Sequence, residues 1–212
     1  MKRLLILLCL PISCIFADTE TTLSSTEAMD RLMLGNERYV HDALEHPNRN
    51  TERREALVCK QSPFAVILGC ADSRVSPEIL FDQGVGDLFV VRVAGNVIGP
   101  LELDSIEYAA LYLKSVLILV MGHENCGAVN AVIQNNVKDI ESVADLIKPA
   151  VKQASKTDPD HLLEASIKIN AQRMRDFLVK SPVIKKLIKD NKVDVRAAYY
   201  NLESGAVEIL SN

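Results

Sequence analysis

Three continuous apolar runs of strand length, residues 64–70 "FAVILGC", 87–93 "DLFVVRV" and 115–121 "SVLILVM", constrain the fold of this chain more than any other feature. A strand with one face in water alternates apolar and polar residues, whereas a strand covered on both faces reads as an unbroken hydrophobic run. Strands of that kind belong to parallel sheets, and parallel neighbours need crossovers of helix length between them. The intervening segments meet that need. "SPEILFDQGVG" has a proline at a helix-start position and a glycine turn, and residues 101–114, "LELDSIEYAALYLK", are helical in pattern.

The rest of the chain extends the same scheme. From Thr26, "TEAMDRLMLGNERYVHDALEH" opens with a capping residue and places Ala28, Leu32, Tyr39, Ala43 and Leu44 near helical spacing, which predicts a helix with Gly35 as a weak spot. Residues 47–56, "PNRNTERREA", read as a solvated loop or short helix whose charges are surface. A helix is expected from about Ala128 to Asn135, then helical pieces over 139–190 broken at Pro149, Pro159 and Pro182. Residues 193–210, "VDVRAAYYNLESGAVEIL", predict two strands joined by a turn through Ser204 and Gly205. The expected fold class is α/β: a mostly parallel central sheet flanked by helices, with C-terminal edge strands. At 212 residues, 48% hydrophobic and 25% charged, the chain fits one such domain, placed at 26–212. It carries net charge −4, no basic block and 5% aromatics, which sets nucleic acid aside as a partner.

The first residues differ. Lys2 and Arg3 precede the apolar run 4–17, "LLILLCLPISCIFA", which ends in small residues before the polar "DTETTLSS". That order predicts a signal peptide at 1–17, a polar linker at 18–25 and an exported protein, periplasmic if bacterial. The run is shorter than the roughly 20 apolar residues of a bilayer span, so no transmembrane segment is expected after cleavage. A lipid-modified start at Cys14 competes, weakened by Pro11. Cleavage after Ala17 removes two cations and leaves the mature chain at −6, with Cys59, Cys70 and Cys126. An odd trio of cysteines in an oxidising compartment is not a disulfide framework. Cys59 is expected to be buried and inert, with a dimer-linking disulfide in the exported setting as the alternative.

In open α/β sheets ligands bind beyond the carboxyl ends of the strands. Cys70 ends the first apolar run, and His123 follows the third by two residues. "MGHENCGAV" sets His123 and Cys126 three apart on a turn entering a helix, so both can converge on one point. Two thiolates and an imidazole suit zinc, with a fourth position for water or a carboxylate. Asp72 is the candidate fourth ligand. If Arg74 clamps it through paired charge-assisted contacts, the position stays open, as catalytic zinc sites require.

"CADSR" at 70–74, with "GHENCG" about fifty residues later, resembles the paired signature of the β-class carbonic anhydrases, a likeness running from about Ala28 to Leu210. The resemblance implies zinc bound by Cys70, His123 and Cys126, with Asp72 and Arg74 as the catalytic dyad and Asp72 a ligand only in a closed state. It implies zinc-dependent reversible hydration of carbon dioxide to bicarbonate and a proton. By the same resemblance Gln61, Phe89 and Tyr108 line the substrate pocket of a plant-like, open-site member, and the amide of Gly127 binds bicarbonate. Ala94 departs from that pattern, where plant-like members carry a larger apolar residue, a difference that bears on pocket width. The bicarbonate-inhibited bacterial members use an early tryptophan, and this chain has none. The resemblance further implies a homodimer or a dimer of dimers. Hydrolysis of carbon disulfide or carbonyl sulfide on the same scaffold, or a zinc site without turnover, are the competing readings.

Overall fold

The computed structural model describes residues 23–211. The signal peptide expected at 1–17 and most of the linker expected at 18–25 lie outside them. The three apolar runs form β1 (Ala65–Gly69), β2 (Leu88–Arg92) and β3 (Leu117–His123). They join β4 (Asp194–Tyr200) and β5 (Val207–Ile209) in one five-stranded sheet of order β2-β1-β3-β4-β5. The first four strands run parallel and β5 alone is antiparallel. The C-terminal hairpin therefore begins inside the sheet: β4 pairs with β3 through seven residues, and of the hairpin's two strands only β5 is an edge, β2 forming the opposite one.

Because β1 pairs with β2 on one side and β3 on the other, the chain reverses its direction of travel across the sheet at β1. The crevice beyond the carboxyl ends of β1 and β3 is the switch point where such sheets take ligands. Every residue of β1 and β3 is buried, which explains why these segments are unbroken apolar runs. Val66, Leu68, Ile118 and Val120 face a large core that also holds Ile106, Ile147, Ile167 and Leu178. Ala65, Ile67, Leu119 and Met121 face a second core with Leu32, Leu80 and Phe81.

The helices are α1 (Ser25–Val40), α2 (Thr51–Ala56), α3 (Pro77–Leu80), α4 (Pro100–Leu111), α5 (Gly127–Ile133), α6 (Glu141–Thr157), α7 (Leu162–Leu178) and α8 (Pro182–Lys189). α1 starts one residue before the expected Thr26, because Ser24 and Glu27 form a reciprocal capping box. It runs unbroken through Gly35, whose absent side chain is a packing requirement: a Cβ there would lie 1.8 Å from the Phe81 carbonyl oxygen. Pro149 also fails to break its helix. It sits on the exposed face of α6, as does Asp145, whose carbonyl loses the i+4 donor and can turn to water. Pro159 separates α6 from α7, and Pro182 opens α8 at its first turn.

Two further expectations change. The charges of 47–56 are not all idle surface: Arg53 Nη2 lies 3.1 Å from Oδ1 of buried Asp87, and Arg49 Nη2 lies 3.8 Å from Oδ1 of buried Asp82. Cys59 follows the end of α2 in a turn and is exposed rather than buried.

Candidate metal centre

Cys70 extends β1 by one residue, His123 ends β3, and Cys126 caps α5, so adjacent parallel strands and the turn after the second deliver all three to one crevice. Their ligating atoms lie within 4.8 Å of one another, and each residue is at least 96% buried. His123 Nδ1 is 2.8 Å from the Glu124 carbonyl oxygen. A carbonyl only accepts, so Nδ1 carries a hydrogen and Nε2 is the ring nitrogen left facing the thiols. That Nε2 is buried without a hydrogen-bond partner among the described residues. An orphaned, inward-facing nitrogen beside two buried sulfurs is what a soft or borderline metal ion would satisfy.

The thiols are electrostatically coupled. The neighbouring Cys126 hydrogen bond draws the Cys70 thiol well below its ordinary value against the opposing effect of burial, with further help from His123 and from the Gly95 amide, 3.2 Å from Cys70 Sγ. Cys126 is correspondingly pushed up, by that shared proton and by burial. The lowering at Cys70 favours the thiolate, the form that binds metal.

Asp72 stands beside this cluster, its Oδ2 3.8 Å from His123 Nε2, beyond hydrogen-bond reach. Arg74 clamps it through Nε to Oδ1 at 2.9 Å and Nη2 to Oδ2 at 2.7 Å, and the Arg74 backbone amide adds 3.0 Å to Oδ1. Those contacts hold the Asp72 carboxyl well below the usual carboxylate range. Arg74 also donates to the Asn125 carbonyl at 3.3 Å, which ties the "CADSR" turn to the "GHENCG" turn.

The remaining predicted residues form two groups. The Phe89 and Tyr108 rings meet at 6.3 Å between centroids, and Phe89 packs on the core that contains Cys70 and Cys126. Gln61 and Tyr108 line a cavity of about 550 Å³ with Cys59, Ser62 and Tyr112, and none of the three ligand candidates lines it. Gly127 opens α5, with open space where a side chain would stand. Ala94 begins the turn that follows β2.

Sequence reasoning missed the residues that hold the turns. Arg92, at the end of β2, donates to the Cys70 carbonyl at 3.0 Å and the Asp72 carbonyl at 2.6 Å. Glu124 accepts from the Leu202 and Glu203 amides at 2.9 and 3.3 Å, fastening the histidine turn to the C-terminal hairpin. Asn125 takes the left-handed conformation between them (φ +51°). A polar residue inside "GHENCG" could have pointed to Asn125, but Arg92 reads in sequence as an ordinary strand-end charge.

Comparisons with known proteins identify the family. The family model described as carbonic anhydrase matches residues 65–207. Carbonic anhydrase 2 of Mycobacterium tuberculosis is 37% identical over 185 residues, spanning 84% of this chain and 89% of its own. The carbonic anhydrase of Mycolicibacterium smegmatis is 36% identical over 184 residues, with the same shares. Among solved structures, the β-carbonic anhydrase CcaA superposes with a TM-score of 0.70 at 27% identity, covering 86% of this chain and 95% of that one. The Coccomyxa β-carbonic anhydrase gives 0.66 at 25%, covering 90% and 87%. With the family match running from the start of β1 to the start of β5 and taking in both signature turns, the chain belongs to the β-class carbonic anhydrases.

Proposed function

We propose that this enzyme is zinc-dependent and catalyses the reversible hydration of carbon dioxide to bicarbonate and a proton, at an open site of the plant-like kind. The observation that carries this reading is the Nε2 of buried His123, which has no hydrogen-bond partner among the described residues and faces two thiols while the Asp72 carboxylate beside it is committed to Arg74. Cys70, His123 and Cys126 would hold the ion, a donor set of two sulfurs and one nitrogen that fits zinc. When bound, zinc supplies a hydroxide nucleophile from water near neutral pH.

The chain's own groups account for the rest. Arg74 keeps Asp72 ionised and off the ligand triad, and Asp72 Oδ2, which accepts only from Arg74 Nη2 among the described residues, keeps a lone pair that can accept a hydrogen bond from the nucleophile and orient it. Phe89 and Tyr108 present apolar surface to a substrate that is apolar and uncharged, and Gln61 adds an amide at the same cavity as Tyr108. Gly127 lies in the first turn of α5, where backbone N–H groups lack intrahelical partners, and we assign its amide to bicarbonate.

We assign two chains to the functional unit, singly or as a dimer of dimers. Around the Gln61 cavity, Val58 is 77% exposed, Tyr112 70% and Tyr108 46%, an apolar rim that a second copy would cover. Export with cleavage after Ala17 completes the proposal. Among the described residues no helix is long and apolar enough to cross a membrane.

The test is a metal count and a stopped-flow carbon dioxide hydration assay on the purified protein. Zinc equimolar with the chain and turnover are expected. Zinc-loaded protein that hydrates no carbon dioxide even at pH 8.5 would reject the enzyme reading.

A further inference from the structure

Gly95 sits in the turn between β2 and α4 and is fixed from two directions. Its amide donates to Cys70 Sγ at 3.2 Å, and its carbonyl accepts from Asn170 Nδ2 at 2.8 Å. Asn170 lies in the middle of α7, fully buried and 75 residues away in sequence. The two peptide units flanking Gly95 are thus held by a metal-ligand candidate on one side and a distant helix on the other.

Packing alone does not account for an asparagine at this position. Its neighbours on the inner face of α7, Ile167, Ala171 and Met174, belong to the apolar core. Asn170 Oδ1 is buried with no hydrogen-bond partner among the described residues, a penalty that an apolar residue of similar size would avoid. Gly95 and Asn96 are successive left-handed residues, at φ +69° and +44°, a conformation these two residue types tolerate best, so Asn170 grips a turn whose sequence already suits its shape. The turn is also wedged in place, since a Cβ on residue 95 would lie 2.7 Å from Ile147 Cδ1.

We propose that Asn170 is a positioning residue for the metal centre: it locks the Gly95 turn so that the Gly95 amide stays on the Cys70 sulfur. This inference rests on the reading of Cys70 as a metal ligand. An N–H aimed at a ligating sulfur fixes its orientation and withdraws part of its charge. Outer partners of this kind are worth about 10- to 100-fold in metal affinity or activity. Neither α7 nor Asn170 touches the reacting atoms, so the effect passes entirely through Gly95.

The experiment uses the full chain loaded with zinc or cobalt. Metal affinity is measured by competition with a chelator, and the sulfur-to-cobalt charge-transfer band by absorption. Asn170→Leu removes the donor at similar size. Asn170→Asp keeps the shape and decides the matter should the leucine variant not fold. Ser166→Ala, which removes a buried hydroxyl on the same helix that has no partner among the described residues, is the control. The expected result is a loss of affinity of about 10-fold or more and a displaced band in the Asn170 variants, with both properties unchanged in Ser166→Ala. A folded Asn170 variant with parental affinity and band, even at a lower Tm, would overturn the proposal, as would an equal effect from Ser166→Ala. A parent protein with no sulfur-to-cobalt band would instead overturn the ligand assignment itself, a failure readily told apart.

Discussion

Two aspartate–arginine assemblies in this molecule use the same functional groups to opposite ends. At Asp82, Oδ2 accepts from Arg38 at 2.7 Å and from the Glu45 amide at 2.9 Å, and Oδ1 accepts from the His46 amide at 3.0 Å. The carboxylate is fully buried, and its partners come from α1 and the following loop, some forty residues away in sequence. It is a rivet between distant segments. At Asp72 the clamp comes from a neighbour two residues on, the arginine side chain is half exposed, and a buried imidazole nitrogen with no hydrogen-bond partner among the described residues stands 3.8 Å away. An ion pair with every acceptor satisfied by distant elements holds a fold. One that stands beside a buried nitrogen with no partner among the described residues is, in the function proposed above, part of a reaction centre.

The largest separation between the two assemblies should come from the ligand set itself. Either His123→Ala or Cys126→Ser should abolish metal binding and reduce carbon dioxide hydration to background, as read by metal analysis and stopped flow. Next, Asp82→Ala should destabilise the fold by about 3 kcal/mol, the size expected when one partner of a buried pair is removed. The denaturation midpoint should fall while kcat and metal content in the folded protein stay unchanged. Arg74→Ala should show the converse. Its activity should drop roughly 100-fold, in the range of a lost proton-handling group and equal to about 2.7 kcal/mol of barrier. Zinc should remain bound, and stability should change by less than about 1 kcal/mol because the guanidinium is exposed. If Arg74→Ala loses zinc instead, the arginine is a rivet too and the contrast fails.

The smallest effect is a pH dependence. Burial raises the Asp82 carboxyl, but Arg38 and the amides of Glu45 and His46 outweigh it, so it ends below its ordinary value of 3.8. A depressed folded-state pKa means that the stabilisation is present above 3.8 and is lost as pH falls through the lower folded value. Acid denaturation curves of the parent should therefore steepen below about pH 4 relative to Asp82→Asn, which has no carboxyl to protonate. Parallel curves would show that Asp82 titrates alike in both states.

The same contrast explains what could be read from the sequence. β1 and β3 were legible because burial on both faces leaves unbroken apolar runs, whereas β2 carries the same kind of run although it is an edge strand whose residues are part-buried or exposed. Cys70, Asp72, Arg74, His123 and Cys126 were legible because reactive residue types crowd two short turns at strand ends. Arg92, Glu124, Asn170 and the Asp82 rivet were not. Each acts through a backbone group or a partner distant in sequence, so no spacing or periodicity marks it. The proline in α6 misled for a related reason: only the structure shows that its broken hydrogen bond faces solvent. Cys59 misled because cysteines are usually buried, whereas this one lies in an exposed turn beside the Gln61 cavity.

The central claim is that Arg74 keeps Asp72 off the metal, so the fourth position is open without any help from alkaline pH. Stopped-flow carbon dioxide hydration by the zinc-loaded protein, compared at pH 7 and pH 8.5, tests it most directly. An open site predicts that turnover is already established at pH 7. A zinc-loaded protein that is silent at pH 7 and becomes active only at pH 8.5 would mean that Asp72 closes the site in the resting enzyme, contradicting the account.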